Sequence, residues 1–316
     1  MKHFSVVLAL LMAAAALPAQ PVKQHGQLSV KGVQLVDVSG EPVVLHGMSF
    51  GWHNLWPRFY NKGAVKELVR KWGSTVVRAS MGIELNERGY LQQPAESERL
   101  IRKVVEACIR MDVYVIVDWH DHNIHEKEAV DFFSRMAADY GKYPHVIWEI
   151  FNEPDYETWQ EVKRYSQHVI AAIRERDPDN IILVGSPRWD QDIHLAAADP
   201  VSGYTNLMYT MHFYAGTHKK WLRDRTDEAI LKGLPVFISE CAGMEATGDG
   251  PLDREEWDAY VRWMDQRKLS WVAWSVSDKK ETCSVLEPSA RSKGRWGHAV
   301  VKEWGRLVRQ YLLRYR

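Results

Sequence analysis

Short runs dense in Val, Ile, Leu and aromatic residues recur along the chain, and stretches with helical spacing lie between them. Eight of these runs predict strands: Val43–Met48, Thr75–Ser80, Val113–Asp118, Val146–Phe151, Asn180–Gly185, Leu207–Tyr214, Pro235–Glu240 and Trp271–Val276. They are short and almost continuously apolar, as strands covered on both faces are. Leu100, Ile101, Val104, Val105, Cys108 and Ile109 follow a 3.6-residue period. So do Val162, Val169, Ile170 and Ile173, which Asp177-Pro178 brings to an end. Val300, Val301, Trp304, Leu307, Val308, Tyr311 and Leu312 predict a last helix with one apolar face. Ahead of the first strand, Ser29–Val38, a Ser39-Gly40 turn and Pro42–His46 predict a small β-hairpin. Eight strands alternating with helices and no break in composition predict an α/β fold: one (β/α)8 TIM barrel over residues 21–316. A doubly wound sheet is the alternative, but it does not usually need eight units.

The first twenty residues stand apart. Lys2 and His3 give a polar start, Phe4 to Leu17 is apolar, and Ala14-Ala15-Ala16 and Pro18-Ala19 offer small residues for cleavage. That run is too short for a membrane span. It predicts a signal peptide over 1–20 and a soluble mature protein, secreted or periplasmic and a monomer, with no membrane partner. Charge narrows the partners further. With 41 basic and 41 acidic residues and no basic block, nucleic acid is a poor ligand. The 14 Trp are many for 316 residues. At least half are expected in the core, and the rest are flat rings suited to stacking on sugars. Cys108 falls on a helix's apolar face as a buried thiol. Cys241 and Cys283 follow two strand ends, so a disulfide between them stays open in an oxidising compartment.

In a barrel, chemistry gathers at the C-terminal ends of strands. The fourth run ends in Asn152-Glu153-Pro154, where Pro154 stops the strand, and the seventh ends in Ser239-Glu240. Two carboxylates facing each other across a barrel mouth are what glycoside hydrolysis needs, one as proton donor and one as nucleophile or base. Around them the rim carries Arg78, His120, His122, Trp189, Asp190, His212, Tyr214, Trp274, Lys279 and Glu281, with Trp52, His53 and Trp56 after the first strand. Arg78 is expected to keep one carboxylate ionised, Asn152 to bond a sugar 2-hydroxyl, and Tyr214 to bond the nucleophile. His120 and His212 can bind hydroxyls or orient the carboxylates, although a lone histidine is as often structural. A rival lies in Asp118-Trp-His120-Asp-His122-Asn-Ile-His125-Glu126, a metal-ligand pattern. No cysteine joins it, and a metal centre would leave the two glutamates without a role. We therefore expect neither metal nor cofactor.

With these residues in place, the chain resembles glycoside hydrolase family 5, and most of all its subfamily 2 of bacterial endo-β-1,4-glucanases. The likeness runs from about Gln27 to the C-terminal helix. It rests on Leu45-His-Gly-Met-Ser49, Val76-Val-Arg-Ala79, Val115-Ile-Val-Asp-Trp-His120, Phe151-Asn-Glu-Pro154, His212-Phe-Tyr-Ala-Gly-Thr217, Ile238-Ser-Glu240 and Trp274-Ser-Val-Ser-Asp-Lys279. The resemblance implies Glu153 as acid/base and Glu240 as nucleophile. It also implies that Arg78, His120, Asn152, His212, Tyr214 and Trp274 line the subsite of the cleaved sugar. Lys279, Glu281 and either Trp52 or Trp56 would hold the non-reducing side, and Trp189 would stack on the leaving-group side. Cys241 departs from the pattern, standing where members commonly carry Trp or Tyr. The implied activity is cleavage of β-1,4-glucan with retention. The same mechanism on mannan, xyloglucan or mixed-linkage glucan stays open, as does a non-catalytic carbohydrate-binding protein.

Overall fold

The computed structural model describes residues 20–316. The expected signal peptide therefore lies outside the described residues but for Gln20. Strands β1 (Ser29–Lys31) and β2 (Gln34–Val36) form an antiparallel pair. Eight parallel strands follow: β3 (His46–Phe50), β4 (Val76–Gly82), β5 (Tyr114–His120), β6 (Val146–Glu149), β7 (Ile182–Val184), β8 (Leu207–Tyr214), β9 (Val236–Ala242) and β10 (Trp271–Val276). Each pairs with the next in sequence, and β10 closes on β3 to make a complete barrel. The (β/α)8 expectation holds, and closure leaves the barrel sheet without an edge.

The hairpin turn lies earlier than expected. It falls at Gly32-Val33, where Gly32 has φ +61°, a left-handed value that glycine takes without strain. Val43 then donates its N–H to Leu35 and Pro42 bridges Val36, so 42–43 complete the small sheet and β3 begins only at His46. At the other ends, β4 and β5 run two residues further than expected, because Gly82 still pairs with His120. The last helix spans Glu303–Arg314, and Val301 pairs with Leu286 in place of joining it. Helices Pro94–Met111 and Trp159–Arg174 contain the two predicted periodic stretches.

Two apolar layers follow from strand geometry. One packs between strands and helices. The other fills the lower barrel with Val76, Tyr114, Ile116, Ile147, Leu183, Met208, Phe237 and Val272. Side chains alternate along a strand, so two residues beyond each inward apolar residue the chain points inward again. By that count Val76 is followed by Arg78, Ile116 by Asp118 and His120, Ile147 by Glu149, and Met208 by Thr210, His212 and Tyr214. A charged floor at the barrel mouth is thus built directly on the apolar plug.

Candidate active site

Arg78 is the centre of that floor and is fully buried. Its Nε donates to Glu149 Oε2 at 2.6 Å and its Nη2 to Glu149 Oε1 at 3.1 Å, a bidentate pair. Nη1 donates to Glu240 Oε2 at 2.8 Å, and Nη2 also reaches Asn152 Oδ1 at 2.6 Å and Asp118 Oδ2 at 3.0 Å. The expected single partner of Arg78 is therefore three carboxylates. Glu240 has its other oxygen held as well, by the Tyr214 hydroxyl at 2.8 Å. Glu240 faces inward because β9 is irregular. The register against β8 shifts between Thr210 and His212, so Ser239 and Glu240 both face the site. Ser239 gives its hydrogen to Glu149 Oε1 at 2.5 Å.

His212 connects this floor to Glu153. Its Nε2 lies 2.8 Å from Ser239 Oγ and 3.3 Å from Asp190, and its Nδ1 lies 2.9 Å from Glu153 Oε1. Because Ser239 spends its hydrogen on Glu149, it accepts from Nε2–H. A single proton then occupies the bond between Nδ1 and Glu153. One oxygen of Glu153, one nitrogen of His212 and one oxygen of Glu240 all lie within 4.8 Å of one another.

Burial and charge set the protonation. Burial opposes the charge on Arg78, but Asp118, Glu149 and Glu240 hold it protonated. Burial alone would lift Glu149, yet Arg78 and His212 bring it down to about 2. Burial lifts Asp118 and Asp190 well above the usual carboxylate range. Burial also disfavours a charged His212, but Asp190, Glu149 and Glu153 outweigh it and hold His212 well above the usual histidine range. Against the carboxyl's own burial, His212 draws Glu153 below the usual range. Burial and the Glu153 charge push Glu240 up, with Arg78 opposing. Burial and the Arg78 charge keep His120 neutral.

The same geometry bears on metal. Glu153, His212 and Glu240 each bring one atom within 4.8 Å of the others, and both His212 nitrogens already have hydrogen-bond partners in Ser239 and Glu153. The other histidines of the metal-like motif diverge. His120 Nδ1 bonds Asp118 at 2.6 Å, and His122 Nδ1 lies 3.2 Å from the Glu153 carbonyl. His125 pairs with Asp121 and Glu84, and Glu126 with His168.

With that geometry in hand, the comparisons with known proteins are direct. Residues 36–280 match the model of a cellulase, glycosyl hydrolase family 5. The chain belongs to glycosyl hydrolase family 5. It is 39% identical to an endoglucanase of Clostridium saccharobutylicum, over 90% of this chain and 64% of that protein. It is 38% identical to endoglucanase 5 of Pectobacterium carotovorum, over 98% of this chain and 62% of that protein. The chain thus spans less than two thirds of the length of these relatives. Among solved structures, one from Cytophaga hutchinsonii is 40% identical, with a TM-score of 0.91 over 93% of this chain and 96% of that one. The catalytic domain of Thermobifida fusca endoglucanase Cel5A, solved with cellotetraose, is 32% identical, with a TM-score of 0.88 over 93% and 99%.

The remaining rim residues of this family 5 chain fall into place around the floor. Trp274 stacks on His120 with ring centroids 5.1 Å apart and planes 2° apart. Trp52 stands edge-on to His120 at 4.4 Å and also meets His122, while Trp56 packs down on Gly51. Of the two candidates, Trp52 is therefore the one that touches site residues. Lys279 and Glu281 pair with each other at 2.5 Å beyond β10. Trp189 is 37% exposed and shares a cavity with Glu153 and His212. Cys241 and Cys283 are buried free thiols, and no disulfide joins them. Cys241 donates to the Val272 carbonyl and Cys283 to Glu281. Reading the strand ends alone missed Glu149, placed Asp118 only in the metal-like motif and gave Asp190 and Ser239 no role. The available signal was period two: a charge inside an apolar strand, two residues after an inward-facing one, cannot point at the helices.

Proposed function

We propose that this chain is an endo-acting β-1,4-glucanase that hydrolyses internal bonds with retention of configuration. The observation that carries the mechanism is the approach of Glu153 and Glu240, with oxygens within 4.8 Å. Retaining enzymes place the carboxyl groups about 5–5.5 Å apart, whereas inverting ones leave roughly 6.5–9.5 Å for a water. In this reading Glu240 attacks the anomeric carbon while the bond to the leaving oxygen breaks, and Glu153 gives that oxygen its proton. A glycosyl ester forms on Glu240. Glu153 then takes a proton from water, whose oxygen attacks the same carbon and releases Glu240. His212 holds Glu153 below the usual range, so in this reading the proton that Glu153 delivers is the one in its 2.9 Å bond to His212 Nδ1.

Arg78 and Tyr214 hold both Glu240 oxygens and oppose the upward push of burial and the Glu153 charge, which supports the carboxylate as nucleophile. The amide nitrogen of Asn152 is buried without a protein partner, which supports a bond to the sugar 2-hydroxyl. His120, Trp274 and Trp52 then wall the cleaved sugar, His122 lies beside Glu153, and Lys279 with Glu281 faces the non-reducing side. The substrate class is supported by relatives named endoglucanases and by the cellotetraose complex of a structural neighbour. Residues 21–316 would act as one catalytic unit without a cofactor, exported by the leader.

The test measures new reducing ends from carboxymethylcellulose, barley β-glucan and mannan, with the wild type and Glu240→Gln. Cleavage of the glucans, lost by roughly a thousandfold in the variant, is expected. Cleavage of mannan alone keeps the mechanism and overturns the substrate. No cleavage, with retardation in a β-glucan gel, replaces the enzyme with a binding protein.

A further inference from the structure

Of the 14 tryptophans, ten are buried, Trp52 and Trp56 are partly buried, and two are exposed. The two exposed ones, Trp189 at 37% and Trp221 at 41%, line the same cavity. This cavity, of about 580 Å³, starts at Glu153 and His212 and is walled by Gln191 and Thr247 as well as the two indoles. Neither Trp52, Trp274, Lys279 nor Glu281 borders it. It therefore opens on the Glu153 side of the site, away from the residues assigned to the non-reducing side.

Trp221 is held there by specific contacts. It sits in the helix Ala215–Leu231 next to the inward-facing Leu222, so the core does not require an aromatic at its position. The helix is interrupted two residues earlier at Lys219, whose φ is +27°. Arg225 lies over the indole with its guanidinium carbon 5.1 Å from the ring centroid, and His218 meets it at 5.9 Å. The same Arg225 donates to the Gln191 carbonyl at 3.1 Å and to Asp192 Oδ1 at 2.6 Å. Those residues stand two and three positions after Trp189. One arginine thus ties the two indoles into one wall, and Gly216 N–H bonding to the Met244 carbonyl joins the helix start to the opposite loop.

We infer that Trp189 and Trp221 form a paired aromatic platform for the glucosyl residues on the leaving-group side, with Trp221 setting how strongly extended chains are favoured there. The inference rests on the glucanase reading. Pyranose rings present C–H faces that stack on indoles, and an exposed indole keeps its apolar face for such a partner. A second ring beyond Trp189 therefore rewards substrates with two or more sugars after the cleaved bond.

The test compares kcat/KM on cellohexaose with kcat/KM on β-cellobiosyl fluoride, whose leaving group carries no sugar. For Trp221→Ala, the ratio of the two falls roughly tenfold, the size of one aromatic contact. Trp221→Tyr restores most of it, and both variants melt near the wild-type temperature. An unchanged ratio in Trp221→Ala, or an equal loss in the Ala and Tyr variants, overturns the platform while leaving the glucanase reading intact. Failure of the wild type on both substrates overturns the two together.

Discussion

At the scale of single residues, the site is a balance between burial and a few opposite charges. Glu153→Ala removes the proposed proton donor, so the expected outcome is a large loss on natural glucans and partial rescue on substrates with activated leaving groups. Equal losses on both classes would remove Glu153 from the acid role. Arg78 stands where no lysine can replace it, since a lysine keeps the charge but not the fork that serves Glu149, Glu240 and Asn152 together. Arg78→Lys is expected to cost about 3 kcal/mol or more in urea unfolding, because buried carboxylates lose their partner. Glu149 makes a pH prediction. Its carboxyl sits at about 2 in the folded chain against 4.5 as the ordinary value. A depressed folded value stabilises fully above the ordinary one and is lost as pH falls towards the folded one. Stability should therefore drop between pH 4.5 and about 2, by on the order of 3 kcal/mol from this group. Glu149→Gln should flatten that part of the curve, measured by denaturant unfolding across pH.

At the scale of elements, two local irregularities aim the chemistry. The register shift in β9 turns Ser239 and Glu240 to one side, which a regular strand would not do. The turn after β7 carries Arg188, Trp189 and Asp190 at φ values of +57°, +56° and +61°, a left-handed run that non-glycine residues rarely adopt. Asp190 holds it by accepting from the Ser186 N–H at 2.6 Å and the Thr210 hydroxyl at 2.5 Å, and Trp189 N–H bonds the Pro154 carbonyl at 2.9 Å. Two substitutions in this turn should therefore behave differently. Trp189→Ala is expected to raise KM on cellohexaose with little change in Tm, since the ring is exposed and meets the exposed Tyr156. Asp190→Ala is expected to lower Tm as well, by several degrees, because a buried capping group and a His212 partner go together. A Tm collapse in Trp189→Ala would make it a packing residue instead.

At the scale of the whole molecule, barrel closure is what brings β4, β5, β6, β8 and β9 to one charged floor over one apolar plug. The plug keeps water from the underside of Arg78, so its interactions act in a low-dielectric setting. Among the described residues no helix is long and apolar enough to cross a membrane. The proposed mechanism draws on this chain's own groups alone, with His212 committed as a donor. Activity on barley β-glucan should accordingly survive EDTA, and loss restored by zinc or manganese would overturn the two-glutamate chemistry.

The sequence by itself determined the strand count, the alternation with helices and the two strand ends that carry Glu153 and Glu240, because buried parallel strands and strand-stopping prolines leave local signatures. Asn152, His212 and Tyr214 were also legible, as polar residues at the ends of apolar runs, and Arg78 as a charge inside one. Only the tertiary structure decided that Arg78 serves three carboxylates, that Glu149 and Asp118 belong to the floor, and that Cys241 and Cys283 stay apart. It also separated Trp52 from Trp56 and put Trp221 beside Trp189. These depend on which way a side chain points after closure and on bulges of a single residue. Contacts across a barrel join positions 71, 74 or 162 residues apart, and no local pattern encodes them.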